Sequence, residues 1–244
     1  MKNSLENFRS SLLKSFLELL WRQWRPLGVA SHGSETGRPI DLEALILATA
    51  MAAGQDRRLW DAALQWLSRN REWVNQSRLK RMAAPFTRPD EWLKQPLIVE
   101  DVWKQAGAAL NPAVRKRQAT ENDRRAGRIL SPPRLRKPPL LQLFLRGVFG
   151  VNARAELILF LLAAGEGNSN QIAKEIHYDQ KNVYVILERW AEAGFIGKEK
   201  RQKQNLYSLK PGITSFVPAE IDLKFWRWEP LFLTFSRLFV AAHD

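Results

Sequence analysis

The stretch that decides the fold runs from Ala153 to Lys210 and reads ARAELILFLLAAGEGNSNQIAKEIHYDQKNVYVILERWAEAGFIGKEKRQKQNLYSLK. Apolar residues at helical spacing predict a first helix that ends in the turn at 165–167. Ser169 is then the predicted cap of a short helix, and Asp179 the predicted cap of a longer helix that Gly194 ends. Two short apolar segments follow, separated by a polar tip at 201–205, and they predict a hairpin. The stretch therefore predicts three helices followed by two strands.

This order of elements is that of a winged helix-turn-helix, in which the hairpin is the wing. The segments SNQIAKEI (169–176), KNVY (181–184) and LERWAEAGFI (187–196) resemble bacterial transcriptional regulators of the MarR/ArsR type. Their apolar and glycine positions match, whereas Asn182 replaces the usual Thr and Trp190 the usual Leu. The resemblance is confined to the C-terminal half. It implies a winged-helix fold, binding to double-stranded DNA, repression of transcription and dimerisation through flanking helices.

Composition supports an anionic partner. The net charge is +13, which favours nucleic acid ahead of an anionic membrane surface. The chain contains no cysteine, so disulfides, thiol nucleophiles and thiolate metal sensing are excluded. No apolar run reaches the roughly 18–20 residues of a membrane span, and the charged N-terminus does not read as a signal peptide. We therefore expect a cytoplasmic protein that does not enter membranes.

The sequence does not predict an enzyme. Its histidines are only His32, His177 and His243, its acidic residues are dispersed, and it has no glycine-rich phosphate loop. His32 lies in a polar loop, and His177 is better explained as a turn residue or a phosphate contact than as a catalytic base. We expect no catalytic residues, no metal site and no cofactor.

The pattern of apolar, proline and charged residues divides the chain into four segments. These are a helical module (1–110), a basic Pro/Arg-rich linker or arm (111–139), the winged helix-turn-helix (140–212) and a C-terminal aromatic extension with a helix (213–244). In the first module we expect a helix from Ser4 to Arg25, helices capped by Asp41 and Asp56, and a short helix from Arg71 to Met82. The predicted fold class is mainly α with a small β-hairpin.

The arm holds nine basic and two acidic residues, so it carries +7 of the net charge. With few apolar residues it cannot form a core, and it is either a solvated tether or an arm that contacts DNA phosphates or the minor groove. In the last segment, Ile221 to Trp228 reads as extended, and Pro230 is expected to open a helix rich in Leu and Phe. That aromatic surface either packs on the N-terminal module or pairs with a second subunit, and we expect a homodimer.

The helix from Gln180 to Ala193 is the expected reading helix, with Val183, Ile186, Leu187 and Trp190 buried. Asn182 and Gln180 suit adenine, and Lys181 suits guanine or phosphate. The predicted DNA-binding residues on the two helices are Ser169, Asn170, Gln171, Gln180, Lys181, Asn182, Tyr184 and Arg189. Those on the wing are Lys198, Lys200, Arg201 and Lys203, and those on the arm are Arg115, Lys116, Arg117, Arg124 and Arg125.

One observation favours a different function. From Ala153 to Lys210 there are nine basic and seven acidic residues, so this stretch is only +2. Val185 and Glu188 are also poorly suited to a DNA groove. Because winged helices also bind proteins, the alternative is a protein-interaction or antitoxin-like subunit of a nucleic-acid-related or defence complex.

Overall fold

The computed structural model of the protein describes residues 2–29, 34–86, 99–109, 135–213 and 228–241. Within these ranges the chain is mainly helical, and its strands form one small antiparallel sheet. The predicted mainly α class is therefore confirmed. The chain divides into two units: Met1–Thr36, Asp41–Arg134 and Trp228–Asp244 form the first, and Gly37–Ile40 with Leu135–Arg227 form the second.

The described residues of the first unit begin with five α-helices. They are α1 (Lys2–Trp24), α2 (Leu42–Met51), α3 (Arg57–Arg69), α4 (Gln76–Ala83) and α5 (Val99–Ala109). Asp41 and Asp56 each accept a hydrogen bond from the backbone N–H three residues further on, which confirms both predicted caps. The single helix predicted from Arg71 to Met82 is wrong. It is a 3-10 turn followed by α4, because the Asn75 side chain caps a new helix there.

Two tryptophans occupy the centre of the first unit. The rings of Trp24 and Trp66 meet edge to face with their centroids 5.7 Å apart, and both side chains are fully buried. Trp24 Nε1 donates to Thr49 Oγ1 at 2.8 Å, and Trp66 Nε1 donates to the carbonyl oxygen of Leu27 at 2.8 Å. Buried indole N–H groups need such acceptors. The first bond joins α1 to α2, and the second joins α3 to the turn that follows α1.

A buried cationic side chain connects α2 to α4 within the same unit. The Arg78 guanidinium donates to Asp41 through Nη1 and Nη2, at 2.6 Å each, and through Nη1 to Glu43 at 2.6 Å. Glu43 is fully buried and also accepts from the backbone N–H of Asn75 at 2.8 Å. Because a buried charge is tolerated only when it is paired, these carboxylates serve the packing of α2 and α4.

The second unit contains the stretch from which the fold was predicted. Its elements are α6 (Leu141–Phe149), α7 (Ala153–Ala164), β1 (Glu166–Gly167), α8 (Ser169–Glu175), α9 (Gln180–Glu192), β2 (Ile196–Arg201) and β3 (Gln204–Leu209). The predicted helices and hairpin are confirmed, as are the Asp179 cap and the end of α9 before Gly194, which has a φ of +73°. Helix α6, predicted from its leucines, packs on α7.

Three local predictions in this unit are wrong. Residues 165–167 were expected as a turn, but Glu166–Gly167 is a strand that pairs with β3. The cap of α8 is Asn168, whose Oδ1 accepts from the N–H of Gln171 at 2.9 Å, and not Ser169. The polar tip is also shorter than expected, because strand pairing continues to Arg201 and Gln204.

The sheet has the strand order β1-β3-β2, and both pairs are antiparallel. Gly167 packs closely at its edge, since a Cβ there would lie 3.0 Å from Ile172 Cγ1 and 3.0 Å from Phe160 Cε1. The apolar sides of α7, α8, α9 and the hairpin enclose one core that includes Leu187 and Tyr207. The hairpin is thereby held beside α8 and α9.

A buried ion pair fixes α6 to α7. Arg146 donates to Glu156 Oε1 from Nε at 2.9 Å and from Nη2 at 2.5 Å. Gln142 Nε2 donates to Glu156 Oε2 at 2.9 Å. Both charged side chains are shielded from solvent. Each charge therefore depends on its hydrogen-bonded partner to offset the free-energy cost of burial.

The last helix, α10 (Trp228–Ala241), belongs to the first unit. It begins at Trp228 and not at Pro230, so the extended structure predicted to reach Trp228 is wrong at that residue. The rings of Phe16 on α1 and Phe235 on α10 stack at 5.3 Å, so the aromatic helix packs on the N-terminal helices, one of the two predicted arrangements. The predicted arm and the remainder of the predicted extended segment lie outside the described residues, apart from 135–139. None of the described helices combines the length and the apolarity needed to cross a bilayer.

Candidate nucleic-acid interface

The first turn of α9 presents three polar side chains to solvent. Gln180, Lys181 and Asn182 are all exposed, while Val183 on the next position is fully buried in the core. Asp179 fixes the start of this turn, because its Oδ1 accepts from the N–H of Asn182 at 3.0 Å. The predicted polar face of α9 is therefore present, although Trp190 is only half-buried.

A polar groove of about 460 Å³ lies beside this turn, between α8, α9 and the hairpin. Its lining combines amide, hydroxyl and charged side chains from all three elements. The lining residues are Asn168, Ser169, Asn170, Gln171, Lys174, Glu175, Tyr184, Lys203, Gln204, Asn205 and Tyr207. Five carboxamides in one groove provide both donors and acceptors, which suits a ligand with many hydrogen-bonding groups.

Two side-chain hydrogen bonds hold the rim of the groove in place. Gln180 Nε2 donates to Ser169 Oγ at 3.2 Å, which joins the start of α9 to the start of α8. Asn168 Nδ2 donates to Gln204 Oε1 at 2.9 Å, which joins the start of α8 to β3. Side-chain hydrogen bonds therefore connect α8, α9 and the hairpin at solvent-exposed positions, and they fix how these elements are arranged around the groove.

The four hairpin cations fall into two classes. Arg201 forms ion pairs with Glu166 at 2.7 Å and Glu199 at 2.9 Å, and Lys198 forms one with Glu188 at 2.8 Å. Lys200 and Lys203 are exposed and have no acidic partner within 4.0 Å among the described residues. The hairpin thus offers fewer uncompensated positive charges than its sequence predicts.

Glu188 connects α9 to both strands of the hairpin. Its Oε1 accepts from Tyr207 Oη at 2.6 Å and its Oε2 accepts from Lys198 Nζ. The hydrogen bonds from Lys198 and then Tyr207 lower the pKa of Glu188. Burial and the bond to Glu188 raise the pKa of Tyr207, and the bond to Glu188 raises the pKa of Lys198. The carboxylate is therefore ionised near neutral pH, with Tyr207 and Lys198 protonated.

The structure brings together six of the seventeen predicted site residues. Ser169, Asn170, Gln171, Tyr184 and Lys203 line the groove, and Gln180 is hydrogen-bonded to its rim. Arg189 is exposed two turns further along α9, and the arm residues Arg115, Lys116, Arg117, Arg124 and Arg125 lie outside the described residues.

Sequence reasoning missed six members of the groove, namely Asn168, Lys174, Glu175, Gln204, Asn205 and Tyr207. Asn168 precedes a helix and is as good a cap as Ser169, which is a signal that could have identified it. The positions of Gln204 and Asn205 depend on hairpin register, which the sequence did not specify closely. Among the described residues, no three His, Asp or Glu side chains gather as a metal site requires.

No protein-family model, curated protein or solved structure matches the chain. The residues of this surface are therefore the basis for assigning a function.

Proposed function

We propose that the second unit is a winged helix-turn-helix and that the protein is a sequence-specific, double-stranded DNA-binding regulator of transcription, acting as a repressor. The order helix, strand, helix, helix and hairpin, with β1 beside β3, supports the winged-helix assignment. In helix-turn-helix proteins the second helix lies in the major groove with its N-terminal residues on base edges. Helix α9 takes that role here.

The observation that carries the proposal is the exposed first turn of α9. Gln180 and Asn182 present carboxamides, which can pair with adenine, and Lys181 presents an ammonium group, which can pair with guanine. The Asp179 cap and the Ser169–Gln180 hydrogen bond order this turn before any ligand binds. Preorganised side chains lose less conformational freedom on binding, which favours affinity.

Phosphate contacts would fix the register of the protein on the duplex. Lys203 on the hairpin and Lys174 on α8 line the groove from two sides, and Lys200 lies exposed on β2. Most protein–DNA hydrogen bonds go to phosphate and sugar, and lysine supplies them without base preference. The basic arm adds further positive charge in the sequence, and a homodimer on a pseudo-palindromic site completes the proposal.

A mobility-shift titration of the full chain at several salt concentrations tests this function. The probes are the DNA upstream of its own gene, other genomic fragments and a shuffled duplex of equal length. We expect at least one genomic fragment to bind about 10³-fold or more tighter than the shuffled duplex at the same salt. Equal affinity for all duplexes would reject specific regulation.

A second function is favoured by the charge and apolar character of the same surface. Two of the four hairpin cations are compensated by carboxylates, and Tyr184 and Val185 are exposed on α9 at 41% and 36%. Aromatic side chains are enriched in protein interfaces and lysine is depleted. The alternative is therefore a protein-interaction or antitoxin-like subunit of a nucleic-acid-related or defence complex.

Substitution of the aromatic side chain separates the two functions. If α9 binds a protein, Tyr184→Ala should reduce the amount of partner that the chain captures from a lysate of the cells that produce it. In that case the affinity for a DNA duplex should change little. In the DNA-binding case Lys181→Ala should instead weaken duplex binding, with the folded unit retained.

A further inference from the structure

We propose that Glu188 is a positioning residue that clamps the hairpin to α9 and withholds Lys198 from DNA, so that phosphate binding by the hairpin depends on Lys200 and Lys203. The inference rests on the proposed DNA-binding function, since it divides roles within the same surface. It also reverses the expectation that Lys198 contacts phosphate.

The clamp consists of Glu188 and its two hydrogen-bond donors, Lys198 and Tyr207, which form one residue pair of the hairpin. Lys198 and Tyr207 are directly paired across β2 and β3, so their side chains lie on the same face of the sheet. Glu188 reaches this face from α9 and accepts from both, at 2.8 Å from Lys198 Nζ and 2.6 Å from Tyr207 Oη. Each carboxylate oxygen is thereby engaged by a different strand. A single side chain thus sets how the hairpin meets α9.

The ion pair changes what Lys198 can offer to a polyanion. The side chains of Lys198 and Glu188 are 36% and 23% exposed, so their attraction is only partly screened by solvent. A phosphate that approached Lys198 in this geometry would meet the Glu188 carboxylate at nearly the same distance. The positive and negative charges largely cancel at that position, and no counterion would be released there on binding.

Lys200 lies on the same strand as Lys198 but does not share its ion pair with Glu188. It lies two residues further along β2, so it projects from the same face of the strand, opposite Asn205 of the groove. It is exposed, and the described residues include no carboxylate within 4.0 Å of it. Lys200 and Lys198 are therefore a matched pair for an experiment: they have the same side chain and strand, and Lys198 alone of the two forms an ion pair with a described carboxylate.

The experiment compares Lys200→Gln and Lys198→Gln in the full chain. The affinity for the duplex that the wild-type protein binds best is measured between 50 and 200 mM salt. Each lost phosphate contact flattens the slope of log affinity against log salt by about 0.9, which is about a threefold smaller loss of affinity over this range. We expect this change per subunit for Lys200→Gln and no change in slope for Lys198→Gln.

Glu188→Gln provides the converse test. The amide still accepts from Tyr207 but no longer neutralises Lys198, so we expect a slope steeper by about 0.9 per subunit and tighter binding at low salt. An unchanged or flatter slope would overturn the withholding of Lys198. Thermal unfolding of each variant shows whether the fold is kept. If Glu188→Gln is unfolded, the two lysine variants decide the matter, because both side chains are on the surface.

The results separate this inference from the function on which it rests. If the wild-type protein shows no salt-dependent duplex binding, both the proposed function and the clamp's role in it are rejected. If the wild-type protein binds and Lys198→Gln flattens the slope as much as Lys200→Gln, DNA binding stands and only the inference fails.

Discussion

Replacing Arg146 by methionine should destabilise the pairing of α6 and α7 by about 3–5 kcal/mol. The Arg146 side chain is fully shielded from solvent and that of Glu156 is 3% exposed. The substitution removes both guanidinium bonds to Glu156 Oε1 and leaves the hydrogen bond from Gln142 at 2.9 Å. Methionine keeps much of the aliphatic volume, so the loss comes from burying a carboxylate without its cation.

Hydrogen–deuterium exchange of the full chain, followed by mass spectrometry, measures the effect where it arises. The expected loss lowers the protection of amides in peptides that cover 141–164 by roughly two to four orders of magnitude. Arg154→Met is the matched control, because Arg154 is exposed on the same helix pair, and it should change local stability by less than about 0.5 kcal/mol. The double variant Arg146→Met with Glu156→Leu should recover most of the protection. Equal protection in Arg146→Met and the Arg154 control would refute the reasoning.

Three further predictions follow from other contacts. Arg78→Leu should increase exchange in α2 and α4 by a comparable factor, since Asp41 and buried Glu43 lose their shared cation; an unchanged α2 would contradict this. Gly167→Ala should lower the stability of the second unit by about 1–3 kcal/mol, because the new Cβ meets Phe160 and Ile172 at 3.0 Å. The measurement is denaturant unfolding, and the control is Gly54→Ala, whose Cβ has no atom within 4 Å. Glu188 has a pKa below its ordinary value of 4.5, so its contribution is present above that pH and is lost as the pH falls through the folded pKa. The protection factors of the hairpin amides, each taken against the intrinsic exchange rate at the same pH, should therefore fall on acidification below about pH 4.5 in the wild type and fall less in Glu188→Gln. Identical acid responses would contradict it.

The sequence predicted the features that local chemistry determines. The caps at Asp41, Asp56 and Asp179 are found as predicted, because a side-chain oxygen at the start of a helix satisfies an otherwise unpaired N–H. The apolar face of α9 was also predicted, although Trp190 is only half-buried, where it packs on the ring of Phe195 at 5.3 Å.

Features that depend on contacts between distant residues could not be predicted. Strand β1 is two residues long, too short for a pattern, and is defined by its pairing with β3, where Gly167 packs closely against Phe160 and Ile172. The ion pair between Arg201 and Glu166 joins residues 35 positions apart. Counting charges along the hairpin therefore overestimated the cations available to a ligand.

The groove also combines features that local sequence predicts with features that depend on contacts between distant residues. The polar first turns of α8 and α9 were identified from composition and capping, whereas Gln204 and Asn205 enter the groove through the register of β3. Both Asn168 and Ser169 are good caps, and only the backbone geometry of the chain decides between them.

The central claim is that the first turn of α9 reads base sequence. Its most direct test is the ratio of affinities for the preferred genomic duplex and a shuffled duplex, measured at one salt concentration for the wild type and for Lys181→Ala with Asn182→Ala. Each lost base contact is worth about 1–3 kcal/mol, so the ratio should fall by about 5- to 150-fold per contact while the shuffled duplex loses little. A double variant that is folded and keeps the wild-type ratio would contradict the account.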